Sequence, residues 1–129
     1  MHDKIAALKR LQEIVDVLRG PRGCPWDRAQ TLPHMGRYVL EESSEVVDAI
    51  EISGGRPLPA VCEELGDLLM NVFLAAKIAE DSGSFSITQV AEGISDKLVR
   101  RHPHVFGDAT VSGVDEVLTR WDAIKAKEK

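Results

Sequence analysis

The stretch Leu65 to Ala76, LGDLLMNVFLAA, limits what this chain can fold into more than any other segment. It is too long for an ordinary strand and shows no alternation of polar and apolar residues, so it reads as a helix. At about 100° per residue, Glu63, Glu64, Asp67, Asn71 and Lys77 project within one arc of about 140°, while the rest of the helix is apolar or small. Such a helix buries most of its surface and concentrates its charge in one stripe. Within that stripe Glu64, Asp67 and Asn71 follow i, i+3, i+7 spacing and stack over two turns. Gly66 lies beside them, and a glycine inside a helix, costing about 1 kcal/mol relative to alanine, predicts either a close neighbour or ordinary tight packing.

The remainder of the chain reads as further helices separated by short breaks. Ile5, Leu8, Leu11, Ile14, Val15 and Leu18 recur at helical spacing until Gly20-Pro21 stops the pattern. Thr31 caps a second helix, with Pro33 in its first turn, that runs to Ser53-Gly54-Gly55. Pro59 opens the third, which runs to about Asp81 with Gly83 as its C-terminal glycine. Ser86 and Gln89 match a capping box for a fourth, which must end near His102 because Pro103 follows. A fifth spans about Ser112 to Ala126. The expected class is all-α, a bundle of four to five helices forming a single domain over residues 1–129.

Composition excludes several functions. The formal net charge is −5 and the pI about 5.3, which argues against a protein built to neutralise nucleic-acid phosphates. The opening MHDKIAALKR has no apolar leader core, and no apolar run approaches the roughly 20 residues that span a bilayer. A cytoplasmic protein is expected. Cys24 and Cys62 form no metal or redox pair, and reduced thiols are expected.

The second helix supplies a counterpart to the acidic stripe in Glu41-Glu42-Ser43-Ser44-Glu45. Val39, Leu40, Val46, Val47 and Ile50 define its expected core face, with Glu42 at the edge of that face and Glu45 beyond it. If the second and third helices pack antiparallel across SGGRPLP, Glu42 and Glu45 can face Glu64 and Asp67. Four half-buried carboxylates repel one another and lose hydration, so they demand compensation. A hard divalent cation supplies it, and an all-oxygen set without histidine or thiolate favours Mg²⁺ or Mn²⁺ over Zn²⁺. A di-iron bundle would instead want a Glu-x-x-His on each of two helices. A single acidic pair is more often a solvated helix face; the joint presence of two, one on an otherwise apolar helix, favours a metal.

A second cluster, KLVRRHPHVFG, places Lys97, Arg100 and Arg101 at i, i+3, i+4 near the end of the fourth helix. By itself this is a basic end that complements the helix dipole. Beside a Mg²⁺ site, the same cations suit a polyphosphate. No GxxxxGK[ST] loop is present, which excludes a P-loop mechanism.

Together CPWDRAQT (24–31), LEESSEVVDAI (40–50), EELGDLL (63–69), KLVRRHPHVFGD (97–108) and WDAIKAKEK (121–129) resemble the MazG family of nucleoside triphosphate pyrophosphohydrolases. The resemblance implies an all-α fold that dimerises and a Mg²⁺-dependent cleavage between the α and β phosphates, releasing nucleoside monophosphate and pyrophosphate. Residue by residue, it implies that Glu42, Glu45, Glu64 and Asp67 are metal ligands and that Lys97, Arg100 and Arg101 contact phosphate. It further implies that Trp121 and Lys125 contact the nucleotide. Glu41 is the first acid of EExxE and is assigned to orienting or deprotonating the attacking water, with Glu45 the rival for that role. For Trp26, loop packing is the expected role. Asn71 either supports the acids or pairs with backbone.

The chain departs from the family's pattern where Ala29 and Leu32 replace the Glu and His that commonly follow CPWD. The expected partners are a nucleoside triphosphate and a second copy of the chain, with no nucleic acid and no membrane. House-cleaning of the nucleotide pool is the expected role. The competing readings are a narrower deoxynucleotide- or phosphoribosyl-ATP-specific pyrophosphohydrolase and a non-enzymatic helical dimer.

Overall fold

The computed structural model describes residues 3–129, which form helices and no strand among the described residues. In chain order these are α1 (Lys4–Leu18), α2 (Pro25–Ala29), α3 (Leu32–Ile52), α4 (Pro59–Asp81), α5 (Ile87–Arg101), α6 (Pro103–Phe106) and α7 (Val114–Glu128). The five longer helices are those the periodicity predicts, and α2 and α6 are additional. Both begin at a proline, tolerated in the first turn because its missing N–H has no helical partner there. The fifth expected helix starts two residues late: the Ser112 N–H and Oγ both donate to Glu116 Oε2 at 2.8 Å, holding that turn outside the helix. Among the described residues no helix is long and apolar enough to cross a membrane.

The chain divides into two compact units, residues 1–87 and 88–129. In the first, α4 packs against both α3 and α1. The core is Val15, Met35, Phe73, Leu74 and Ile78, with Leu11, Tyr38 and Met70 packed on it. α3 and α4 end alike. The N–H of Gly55 reaches the carbonyl of Ile50, and that of Ser84 reaches Ala79, both at 3.0 Å. These bonds close the last turns through Gly54 (φ 66°) and Gly83 (φ 79°), a left-handed conformation that glycine adopts without cost. At its start α3 carries a variant cap in which the Thr31 N–H donates to His34 Nδ1 at 3.3 Å.

The expected core face of α3 is only partly right. Val46 is buried, whereas Leu40 is 70% and Val47 52% exposed. α3 is apolar on two sides, and α4 covers only the one carrying Met35 and Val46. Nor does Gly66 admit a close neighbour, since a Cβ there would meet nothing within 4 Å.

In the second unit α5, α6 and α7 bury no residue fully. α5 and α7 are joined instead by contacts between rings and charges. The Trp121 ring meets His102 edge-on at 5.1 Å, and Arg100 and Arg101 both pair with Glu128.

Candidate metal and phosphate sites

The antiparallel register of α3 and α4 decides which acids meet. Asn71 is buried, and its Nδ2 donates to the Tyr38 carbonyl at 3.3 Å, tying the middle of α4 to α3. By the helical i→i−4 rule that same carbonyl faces the Glu42 N–H, so Asn71 grips the turn that carries Glu42. Of the two roles open to Asn71, pairing with backbone is present in the bond to Tyr38. One turn along α3 and one turn back along α4, Glu42 and Asp67 oppose each other with Glu64 beside them. Carboxylate oxygens of Glu42, Glu64 and Asp67 lie within 4.8 Å of one another.

The electrostatics of this trio are unfavourable as they stand. Burial holds the Glu42 carboxyl above its usual range, with Asp67, Glu45 and Glu41 adding to the shift. Glu64 is raised for the same reason, burial first and then Asp67, Glu42, Glu45 and Glu63. Glu42 Oε2 is buried with no hydrogen-bond partner. A buried, unpaired carboxylate oxygen beside two other carboxylates fits a divalent cation, because ligation would supply the missing partner and cancel the repulsion. The donor set is oxygen only, which suits Mg²⁺ or Mn²⁺.

Glu45 is not part of the trio. It lines a cavity of about 220 Å³ with Asp48, Ala49, Ile52, Leu58 and Glu64, on the side of the acids toward the α3–α4 connection. Glu41 is exposed on α3. Lys77, in the acidic stripe by helical projection, faces α1 instead and pairs with Asp16 at 3.5 Å and Asp81 at 3.4 Å. Trp26 is half-exposed and lies 5.6 Å from the Tyr38 ring, a packing role.

In the second unit Lys97, Arg100 and Arg101 occupy α5, and Trp121 and Lys125 occupy α7. The Trp121 indole N–H is buried without a partner. Sequence reasoning missed two residues here. His102 donates its Nδ1–H to the Leu98 carbonyl at 2.6 Å while meeting Trp121. Glu128 takes both arginines, through Arg100 Nε at 2.7 Å and Arg101 Nη2 at 2.9 Å. Its position seven residues after Trp121, hence on the same helical face, was the available signal.

The family model described as the MazG nucleotide pyrophosphohydrolase domain matches residues 30–106. The chain is 45% identical over 123 residues to a nucleoside triphosphate pyrophosphohydrolase of Escherichia coli (strain K12), an alignment covering 95% of this chain and 46% of that protein. To the nucleoside triphosphate pyrophosphohydrolase/pyrophosphatase MazG of Thermotoga maritima it is 40% identical over 121 residues, covering 94% of this chain and 45% of the relative. The crystal structure of a mazG-related protein from Thermotoga maritima superposes with a TM-score of 0.75 at 24% identity, covering 92% of this chain and 98% of that one, and agrees in fold. The chain spans about half the length, or less, of the curated relatives it matches.

Proposed function

The chain belongs to the MazG nucleotide pyrophosphohydrolase family, and from that premise we propose that it hydrolyses nucleoside triphosphates between the α and β phosphates, with Mg²⁺ as cofactor and Mn²⁺ as a substitute. The observation that carries this reading is the convergence of Glu42, Glu64 and Asp67 around the unpartnered Glu42 oxygen. These three would hold the ion, with Glu45 as a fourth donor. Bound there, the ion would neutralise the triphosphate and polarise the α-phosphoryl group.

The chain's own residues account for the rest. Glu41 orients the attacking water or takes its proton, and Glu45 is the alternative base. The water oxygen bonds to the α phosphorus and the bridging oxygen to the β phosphorus departs with the bonding pair. The products are nucleoside monophosphate and pyrophosphate. Lys97, Arg100 and Arg101 neutralise charge on the polyphosphate, and Trp121 and Lys125 contact the nucleotide. Clearing unwanted nucleotides from the cytoplasmic pool is the physiological role this chemistry suits.

A homodimer completes the proposal. Leu40 and Val47 on α3, and Leu65 and Leu69 on α4, are exposed apolar side chains that a second copy would cover. Light scattering after size exclusion should give twice 14.2 kDa; a monomeric mass refutes the dimer.

The test of the reaction is product analysis on a panel of ribo- and deoxynucleoside triphosphates with and without Mg²⁺. Metal-dependent monophosphate and pyrophosphate support the proposal. Diphosphate and phosphate, or no turnover by the folded protein, refute it.

A further inference from the structure

Arg100 and Arg101 close α5, and Glu128 closes α7. Glu128 Oε1 accepts from Arg100 Nε at 2.7 Å and, more weakly, from Arg101 Nε at 3.5 Å, while Oε2 accepts from Arg101 Nη2 at 2.9 Å. Hydrogen bonds from Arg100 and then Arg101 push the Glu128 carboxyl down to about 2, so it stays ionised throughout the neutral range. Trp121, Lys125 and Glu128 stand at i, i+4, i+7 and therefore share one face of α7.

These are the distances and donors with which guanidinium groups bind phosphate, and a carboxylate presents two acceptor oxygens much as one edge of a phosphate does. We propose that Glu128 sets the affinity threshold of the Arg100–Arg101 fork: it is an internal stand-in for phosphate that holds the fork in the free protein and is displaced by the incoming polyphosphate. The inference rests on reading Arg100 and Arg101 as phosphate contacts. Because Glu128 is tethered beside the fork, it competes at a fixed effective concentration and weakens every anion that must displace it by one common factor. A tri- or pyrophosphate, with charge left over for Lys97, retains useful affinity after that loss. A single inorganic phosphate or a monophosphate product does not, so the fork stays closed to the small anions that surround the substrate.

The test is calorimetric titration of inorganic phosphate, pyrophosphate and tripolyphosphate, without metal and at low salt, into the parent protein and the Glu128→Gln, Glu128→Ala and Arg101→Ala variants. Circular dichroism confirms that each variant keeps its helices. Both Glu128 variants should bind all three anions more tightly by the same factor, about three- to tenfold given the usual strength of exposed ion pairs. With nucleoside triphosphate and Mg²⁺, KM should fall by that factor while kcat does not rise, the pattern of a change in uniform binding.

A residue that merely positions the arginines would give the opposite order, with parent tightest, Gln weaker and Ala weakest, and that order overturns the proposal. Equal affinities in parent and Glu128 variants, with Arg101→Ala abolishing binding, overturn the stand-in role and leave the phosphate-contact reading standing. Should Arg101→Ala bind tripolyphosphate as well as the parent does, both fail.

Discussion

Glu64→Gln removes one negative charge from three carboxylates whose oxygens lie within 4.8 Å of one another, and its effect on stability should reverse sign with metal. Without metal, Glu42 and Glu64 have folded-state pKa values raised above 4.5. A raised carboxyl contributes stability that is complete below its unfolded value and is lost as pH rises through its folded value. The metal-free parent therefore weakens as pH rises above about 4.5 through the raised values, and the variant, with one such group fewer, weakens less. At pH 7 without metal it should melt no lower than the parent.

With metal the order inverts. Mg²⁺ at 100 times its dissociation constant stabilises a protein that binds it only when folded by about 2.7 kcal/mol. For a chain of this size that corresponds to roughly 8–13 °C in Tm. Removing one of three carboxylate ligands costs at least the roughly 100-fold in affinity seen when supporting residues of metal sites are removed. At the same Mg²⁺ concentration the variant then gains only about 0.4 kcal/mol, roughly 1–2 °C, and turnover is abolished. Thermal melts of both proteins at pH 5 and pH 7, with Mg²⁺ and with chelator, read all four conditions. A parent whose Tm ignores both Mg²⁺ and Mn²⁺, or a variant that gains as much as the parent, refutes the metal assignment.

Three further perturbations address the scaffold. Leu74 is 1% exposed in the core, so Leu74→Ala should lose about 3–5 kcal/mol in urea unfolding; a loss below about 1 kcal/mol would mean that the site collapses to fill the cavity. Gly83 has φ 79° with nothing within 4 Å of its would-be Cβ. The cost of Gly83→Ala is thus conformational alone, about 1–2 kcal/mol, read as a lower Tm with turnover kept. Asn71→Leu keeps the branched shape but removes the bond to Tyr38, and should cost about 1 kcal/mol or more and blunt the Tm response to Mg²⁺ by loosening the turn that carries Glu42. An undiminished metal response would separate Asn71 from the acids.

The longer helices were legible because their signals are local. Periodicity marks α4 as Pro59 to Asp81, and Gly83 takes the positive φ that a helix end after Ser82 requires. α2 and α6, with only 5 and 4 residues, are too short to show a period and were missed. The His34 cap was missed because histidine takes a position where Glu or Gln is the usual signature. Glu42, Glu64 and Asp67 could be named as neighbours from their spacing. That Glu45 lies outside the trio depends on how far the two helices are rotated about their axes, which packing of Met35, Phe73 and Leu74 sets and no spacing encodes.

The sequence by itself determined the helical class, the single acidic stripe on an otherwise apolar helix and the cluster of cations in KLVRRHPHVFG, since each follows from 3.6-residue geometry acting over a few neighbours. The tertiary structure alone decided that Asn71 clasps Tyr38, that Lys77 turns to Asp16 and that Glu128 holds Arg100 and Arg101. Each of these joins residues at least 27 positions apart. Such partners are chosen by the register and rotation of packed helices, which minimise the whole core's free energy rather than that of any one segment.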